Sequence, residues 1–253
     1  MVDERVHLRL EDGPVFTPGP RVIRDVAVDR RLAPHVSNIE VYREHFITPL
    51  EETVIPDGAT RLLFDLRDQR SWIIGVADQP VKLALDGEVA HVTVTLRPGA
   101  AHELLGIPSG ALRNQFMPLK IDVVPMKSDA GFCAAVQRQL LEWSSRRART
   151  ERRRVSHALQ LLKRSTVRST AAALCLSTRR LQQLFDAELG LSPRLWRRLA
   201  RVHECVKSLR DAPLSDLALA HGFYDQAHLS NEFRELLGMS PTQLISQTSK
   251  PVK

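Results

Sequence analysis

Apolar and polar residues alternate through much of the first half of the chain. In His91–Leu96, Val92, Val94 and Leu96 fall on one face, and comparable short runs cover Arg61–Leu66, Ser71–Ala77 and Val81–Leu85. A period of two is the repeat of a half-buried strand. Turn-forming clusters separate the runs: Pro56-Asp57-Gly58, Asp78-Gln79-Pro80, Asp86-Gly87 and Pro98-Gly99. Such short runs predict an antiparallel barrel or sandwich. Asp86-Gly87, between Leu85 and Val89, reads as a hairpin turn. Gly99–Leu105 is rich in Ala and Leu and reads as a short helix after the last strand. The first 40 residues follow neither period.

From Gly131 the period becomes helical. Phe132, Val136, Leu140 and Leu141 share one face, and a second stripe runs through Val155, Leu159 and Leu162. Between them lies Arg146–Arg154, with six arginines in nine residues, read as a solvated face or linker that can also touch phosphates. Beyond it the chain repeats itself. At a shift of 48 residues, Ala172 meets Ala220, Leu181 meets Leu229, Phe185 meets Phe233 and Leu189 meets Leu237. Gly190, Ser192 and Pro193 likewise meet Gly238, Ser240 and Pro241. The glycines predict left-handed helix C-caps, and each Ser-Pro predicts an N-cap followed by a first-turn proline. Short helices at Thr170–Leu174 and Ser215–Ala220, then tight turns and N-caps at Ser177 and Asp225, complete two copies of a helix-turn-helix. Joining them, Pro193–Arg210 carries Leu195, Leu199, Val202, Val206 and Leu209 as a one-sided stripe. At eighteen residues this helix would span about 27 Å, against about 34 Å for one turn of B-DNA.

The predicted fold class is therefore α+β, with three segments: a β-rich barrel or sandwich-like domain at 1–130, a basic helical linker at 131–154, and an all-α double helix-turn-helix domain at 155–253. Charge divides along the same line. Residues 1–130 hold 15 basic and 19 acidic side chains, net −4; residues 131–253 hold 21 and 10, net +11. A basic helical half points to double-stranded DNA. On the first recognition helix the outward positions are Thr178, Arg179, Gln182 and Gln183; on the second they are Gln226, Ala227, Ser230 and Asn231. These are the candidate base contacts, since Arg reads guanine, Gln reads adenine and Ala meets a thymine methyl. Arg180, Arg194, Arg197, Arg198 and Arg234 are the candidate phosphate contacts. His228 is read as a packing or phosphate contact.

The chemistry of other function classes is missing from the motifs. There is no Gly-rich phosphate loop, no G-x-S-x-G and no H-E-x-x-H. His91 and His102 are weighed as metal ligands and read instead as surface histidines on either side of a turn; no metal, cofactor or catalytic residue is assigned. Glu51-Glu52 is read as solvated charge. Cys133, Cys175 and Cys205 form no C-x-x-C, which disfavours a disulfide framework and fits a reducing cytoplasm. No apolar run is long enough to span a membrane.

Residues 155–246 resemble the DNA-binding domain of AraC-type transcription regulators. The resemblance is carried by Gly222-Phe223-Tyr224-Asp225-Gln226-Ala227-His228-Leu229, Glu232-Phe233-Arg234 and Gly238-Met239-Ser240-Pro241, and more loosely by Leu176-Ser177, Leu181, Phe185 and Gly190-Leu191-Ser192-Pro193. In the linker, Arg201 and Leu209 fall on family positions. Residues 42–119 resemble a small β-rich domain of some such regulators through Ile55-Pro56-Asp57-Gly58, Gly75, Leu96-Arg97-Pro98-Gly99-Ala100 and Leu104-Leu105-Gly106. The resemblance implies a cytoplasmic regulator, and the length of the joining helix against a turn of B-DNA predicts that it reads two half-sites about one helical turn apart. The resemblance also implies RNA polymerase as a partner, and an N-terminal domain that senses a small-molecule effector or forms a homodimer. Two departures stand out. Cys175 takes the place of a turn glycine, where a left-handed backbone costs about 1 kcal/mol, and Asn231 replaces a common basic residue. Cys175 and Cys205 are both read as core thiols.

Overall fold

The computed structural model describes residues 22–121, 128–146 and 151–248. His7, part of the arginine run (147–150) and the last five residues of the chain lie outside the described residues.

Six strands form one antiparallel sheet: β1 (Val22–Asp25), β2 (Val36–Val54), β3 (Arg61–Asp65), β4 (Ser71–Ile74), β5 (Val81–Leu96) and β6 (Phe116–Pro118). The hydrogen-bonded order is β1-β2-β5-β3-β4-β6, so the sheet keeps two edges and does not close into a barrel. One face is apolar. Ile39, Val41, Leu62, Phe64, Val92 and Val94 form a buried core with helix α1 (Ala100–Leu105), Leu112 of α2 (Ser109–Leu112), and Cys133, Val136 and Leu140 of α3 (Asp129–Arg146). The helical stripe that begins at Phe132 thus packs onto the sheet.

The hairpin expected at Asp86-Gly87 does not form. Strand β5 runs straight through it, pairing Gly87 with Phe46 and Leu85 with Leu50 of β2. Ile47, Thr48 and Pro49 bulge opposite Asp86. Gly87 takes φ 64°, and Pro49 sits where the ladder is already broken, the one interior place a strand accepts proline. The Asp-Gly turn signal is spent on the bulge.

The opposite sheet face mixes apolar clusters with buried polar residues. Glu40 pairs in register with Thr93, and Tyr42 with His91. The Tyr42 and His91 rings stack at 5.0 Å, and Tyr42 donates to Glu44. His91 is therefore a buried sheet residue, correcting its reading as a surface histidine. Glu51 is exposed and paired with Lys82 at 2.8 Å, as solvated charge should be.

The helical half holds α4 (Glu151–Leu162), α5 (Val167–Ala173), α6 (Thr178–Leu189), α7 (Pro193–Lys207), α8 (Leu214–Ala220), α9 (Gln226–Leu237) and α10 (Pro241–Thr248). Val155, Ala158, Leu162, Leu181, Leu184 and Phe185 build one core. Leu199, Val202, Cys205, Leu229, Phe233 and Leu244 build a second, which also takes in Val76 from the end of the sheet. Helix α7 ends at Lys207, three residues before the expected Arg210, because Ser208 caps it; its fifteen residues span about 22 Å.

Candidate nucleic-acid interface

Local chemistry sets both recognition helices. Ser177 Oγ accepts the Arg180 amide at 3.1 Å to start α6, and an Asp225 carboxylate oxygen accepts the His228 amide at 2.7 Å to start α9. Each satisfies an amide that a helix N-terminus leaves unpaired. Gly190 and Gly238 end the two helices at φ 70° and 74°. Ser192 caps α7 with Pro193 in its first turn.

The turns show that the repeat has two registers. The Leu176 amide bonds Ala171 O, and the Phe223 amide bonds Ala218 O, each closing the first helix around a left-handed residue, Cys175 or Gly222. That correspondence is offset by 47 residues, not 48. The second turn is one residue longer, and Tyr224 within it is 85% exposed. Ala171 and Ala218, both buried, are the true counterparts in the first helices. Cys175 adopts φ 55° and is exposed, correcting its reading as a core thiol; Cys205 is buried, and burial pushes its thiol up to about 11.

Burial separates the two sides of each recognition helix. Leu181, Leu184 and Phe185 face inward on α6, while Thr178, Arg179, Arg180, Gln182 and Gln183 are exposed. On α9, Leu229, Phe233, Leu236 and Leu237 face inward, Gln226, Ala227, Asn231 and Arg234 are exposed, and Ser230 is half-buried. Arg234 donates to Asn231 Oδ1 at 3.0 Å. His228 Nδ1 accepts the Tyr224 amide at 3.2 Å, and its ring meets Phe223 edge-on, which is a packing role.

Arg194, Arg197, Arg198 and Arg201 of α7 line a cleft with Val167 of α5 and His228, Glu232 and Glu235 of α9. Its volume is about 520 Å³. Arg194 and Arg197 are exposed, with no ion pair among the described residues. Arg198 binds Glu232 through Nε at 3.0 Å and Glu235 through Nη2 at 2.6 Å. Arg201 reaches Glu232 at 3.4 Å, donates to Gly222 O at 3.1 Å, and lies 4.4 Å over the Phe223 ring. The Glu235 hydrogen bond raises the Arg198 pKa, and Arg198 lowers that of Glu235. Sequence reasoning overlooked these carboxylates; their i, i+3 spacing on α9 is the signal that places both against α7.

It also overlooked how the sheet domain grips α6. His102 of α1 is buried, not on the surface, and its Nδ1 lies 2.9 Å from Glu188 Oε1. Ser109 Oγ donates to Glu188 O at 2.8 Å, and Arg113 binds Asp186 and Gly190 O. The fit is tight: a Cβ on Gly190 would lie 2.6 Å from Ser109 O and 2.7 Å from Val76. On α7, His203 Nε2 donates to Pro56 O at 2.8 Å. Burial, the leading cause, lowers the His203 pKa, consistent with a neutral ring.

Residues 170–247 match the family model described as a helix-turn-helix domain. The C-terminal region is a helix-turn-helix domain. Residues 25–118 match a second family, a domain of unknown function, DUF6597. Over 79 residues the chain is 33% identical to the arabinose operon regulatory proteins of Escherichia coli strain K12 and of Salmonella typhimurium strain LT2, covering 30% of this chain. It spans 27% and 28% of those relatives' lengths. Among solved structures, an AraC-type transcriptional regulator from Chromobacterium violaceum aligns with 40% of this chain and 96% of its own, at 21% identity and TM-score 0.37. ToxT from Vibrio cholerae O395 aligns with 84% of this chain and 98% of its own, at 10% identity and TM-score 0.43. The matched helix-turn-helix region takes in α6, α7 and α9, with the arginines and carboxylates of the cleft. No helix among the described residues is long and apolar enough to cross a membrane.

Proposed function

We propose that this protein is a sequence-specific, DNA-binding transcription regulator that reads two half-sites about one helical turn apart. The observation that carries the reading is the pair of capped recognition helices, α6 and α9, in one AraC-type domain, each with an exposed polar side at its start. Thr178, Arg179, Gln182 and Gln183 read one half-site; Gln226, Ala227, Ser230 and Asn231 read the other. Arg180, Arg194, Arg197, Arg198 and Arg234 take the phosphates between and around them. The units proposed are 1–130 and 155–253 joined by the helical linker 131–154, whose first helix, α3, packs on the sheet. The protein acts in the cytoplasm with RNA polymerase as a partner and no catalytic residue.

The sheet domain is proposed to take a small-molecule effector, pairing of subunits being its alternative role. Support for a polar effector comes from the buried face of Glu40, Tyr42, Glu44, His91 and Thr93. There Glu44 Oε1 and Thr93 Oγ1 are buried without a hydrogen-bond partner among the described residues, an uncommon state for buried polar atoms. Genome-wide mapping of the tagged protein tests the main reading. It should give promoter sites with two short half-sites on one face of the duplex; no promoter enrichment contradicts it.

A further inference from the structure

Helix α7 carries its arginines at i, i+3, i+4 and i+7 (Arg194, Arg197, Arg198 and Arg201), which puts all four on one side of the helix. That side forms the floor of the cleft between the two helix-turn-helix copies. If α6 and α9 enter successive major-groove segments, the backbone that separates those segments faces this floor. Two of its arginines are open. The other two are held by carboxylates from α9, and the carboxylates differ. Glu232 is 12% exposed and touches Arg198, Arg201 and, at 3.8 Å, His228. It ties α7 to α9. Glu235 is 65% exposed, and its described ion pair is with Arg198 alone.

We propose that the cleft is a seat for the phosphodiester backbone in which Glu235 is a resident counter-anion, competing with a DNA phosphate for the Nη2 side of Arg198. This inference rests on the DNA-binding reading. A carboxylate and a phosphate oxygen make the same charge-assisted bond to a guanidinium. Binding exchanges one for the other, while Glu232 keeps Nε and holds the arginine in place. The exposed position of Glu235 makes the exchange cheap, since surface ion pairs contribute little to stability. Glu235 thereby weakens DNA binding without touching a base, at specific and nonspecific sites alike.

The test uses the full chain and a short mixed-sequence duplex, with affinity measured across a salt series. Glu235→Gln should bind about threefold tighter. Arg198→Ala should weaken binding and flatten the log K against log salt slope by about 0.9. In the Arg198→Ala background, Glu235→Gln should give no gain. Glu204→Gln removes the same charge from α7, where Glu204 pairs with Lys207 at 3.7 Å, and should also give no gain. Equal tightening by Glu204→Gln, or a Glu235→Gln gain that survives loss of Arg198, overturns the competition. So does Glu235→Gln binding with wild-type affinity. Inorganic pyrophosphate separates the sources of phosphate: a rise in melting temperature for Glu235→Gln without tighter duplex binding marks a small-anion pocket and overturns the backbone seat. Wild-type protein that binds no duplex at any salt overturns the DNA-binding reading itself, whereas wild-type binding with an inert Glu235 overturns this inference alone.

Discussion

The first recognition helix shows Arg179 and Arg180 on its exposed side, whereas the second shows Gln226, Ala227 and Asn231, with Arg234 drawn onto Asn231. Helix α6 is gripped at its C-terminal end by α1 and α2 through Glu188, Asp186 and Gly190. Helix α9 instead turns Glu232 and Glu235 toward the arginines of α7. The scaffold is shared down to the caps, so the caps explain the fold and not the difference in chemistry. What differs is the supply of positive charge. The first copy carries its own, and the second sits beside charge supplied by the linker helix and partly masked by its own carboxylates. The sheet domain meets α6 through the buried groups His102 and Ser109, and meets the second core through Val76.

The largest contrast is expected at the two C-caps. Gly190→Ala meets the Ser109 carbonyl and Val76 in addition to its left-handed strain, and should cost about 3 kcal/mol. Gly238→Ala meets Pro80 side-chain atoms at 3.3 Å and Thr53 at 3.9 Å, and should cost about 1 kcal/mol. Denaturant unfolding compares them; equal losses would break the claim that α6 is the more tightly gripped helix. Next, Arg179→Ala should cost about 2 kcal/mol of binding and relax one half-site only. Binding selection on randomised duplexes checks this, and uniform weakening on all sequences would remove the base-reading role.

The turns sharpen the same comparison at smaller scale. Cys175→Gly should stabilise the first copy by about 1 kcal/mol by relieving φ 55°, and Gly222→Ala, with open space around it, should destabilise the second by a similar amount. Thermal unfolding reads both, and opposite signs are required. The smallest effect concerns His203. Its folded pKa lies below the ordinary 6.5, so the unfolded chain binds the extra proton and stability falls as pH drops below about 6.5. In His203→Gln that part of the fall should vanish from the pH profile of melting temperature.

Much of the helical half was legible because local chemistry fixes it. Ser177, Asp225, Gly190, Gly238 and Ser192-Pro193 act within a turn of their own positions, and each does what its residue type predicts. The sheet was less legible. Asp86-Gly87 carries a hairpin signal, but a bulge at Ile47–Pro49, far off in the sequence, claims it. His91 and His102 read as surface groups because their partners, Tyr42 and Glu188, come from distant strands and helices. The 48-residue repeat was right for the recognition helices and one residue out for the helices before them, because the second turn is longer. The candidate base contacts follow from helical periodicity alone. The masking of Arg198 required knowing that α9 packs against α7.

We propose that one chain reads two half-sites with unlike helices. Hydroxyl-radical footprinting of the full chain on a selected duplex tests it most directly. Two protected patches about one helical turn apart on the same face are expected, with the patch assigned to α6 lost in Arg179→Ala and the other retained. A single patch, or loss of both patches together in that variant, would contradict it.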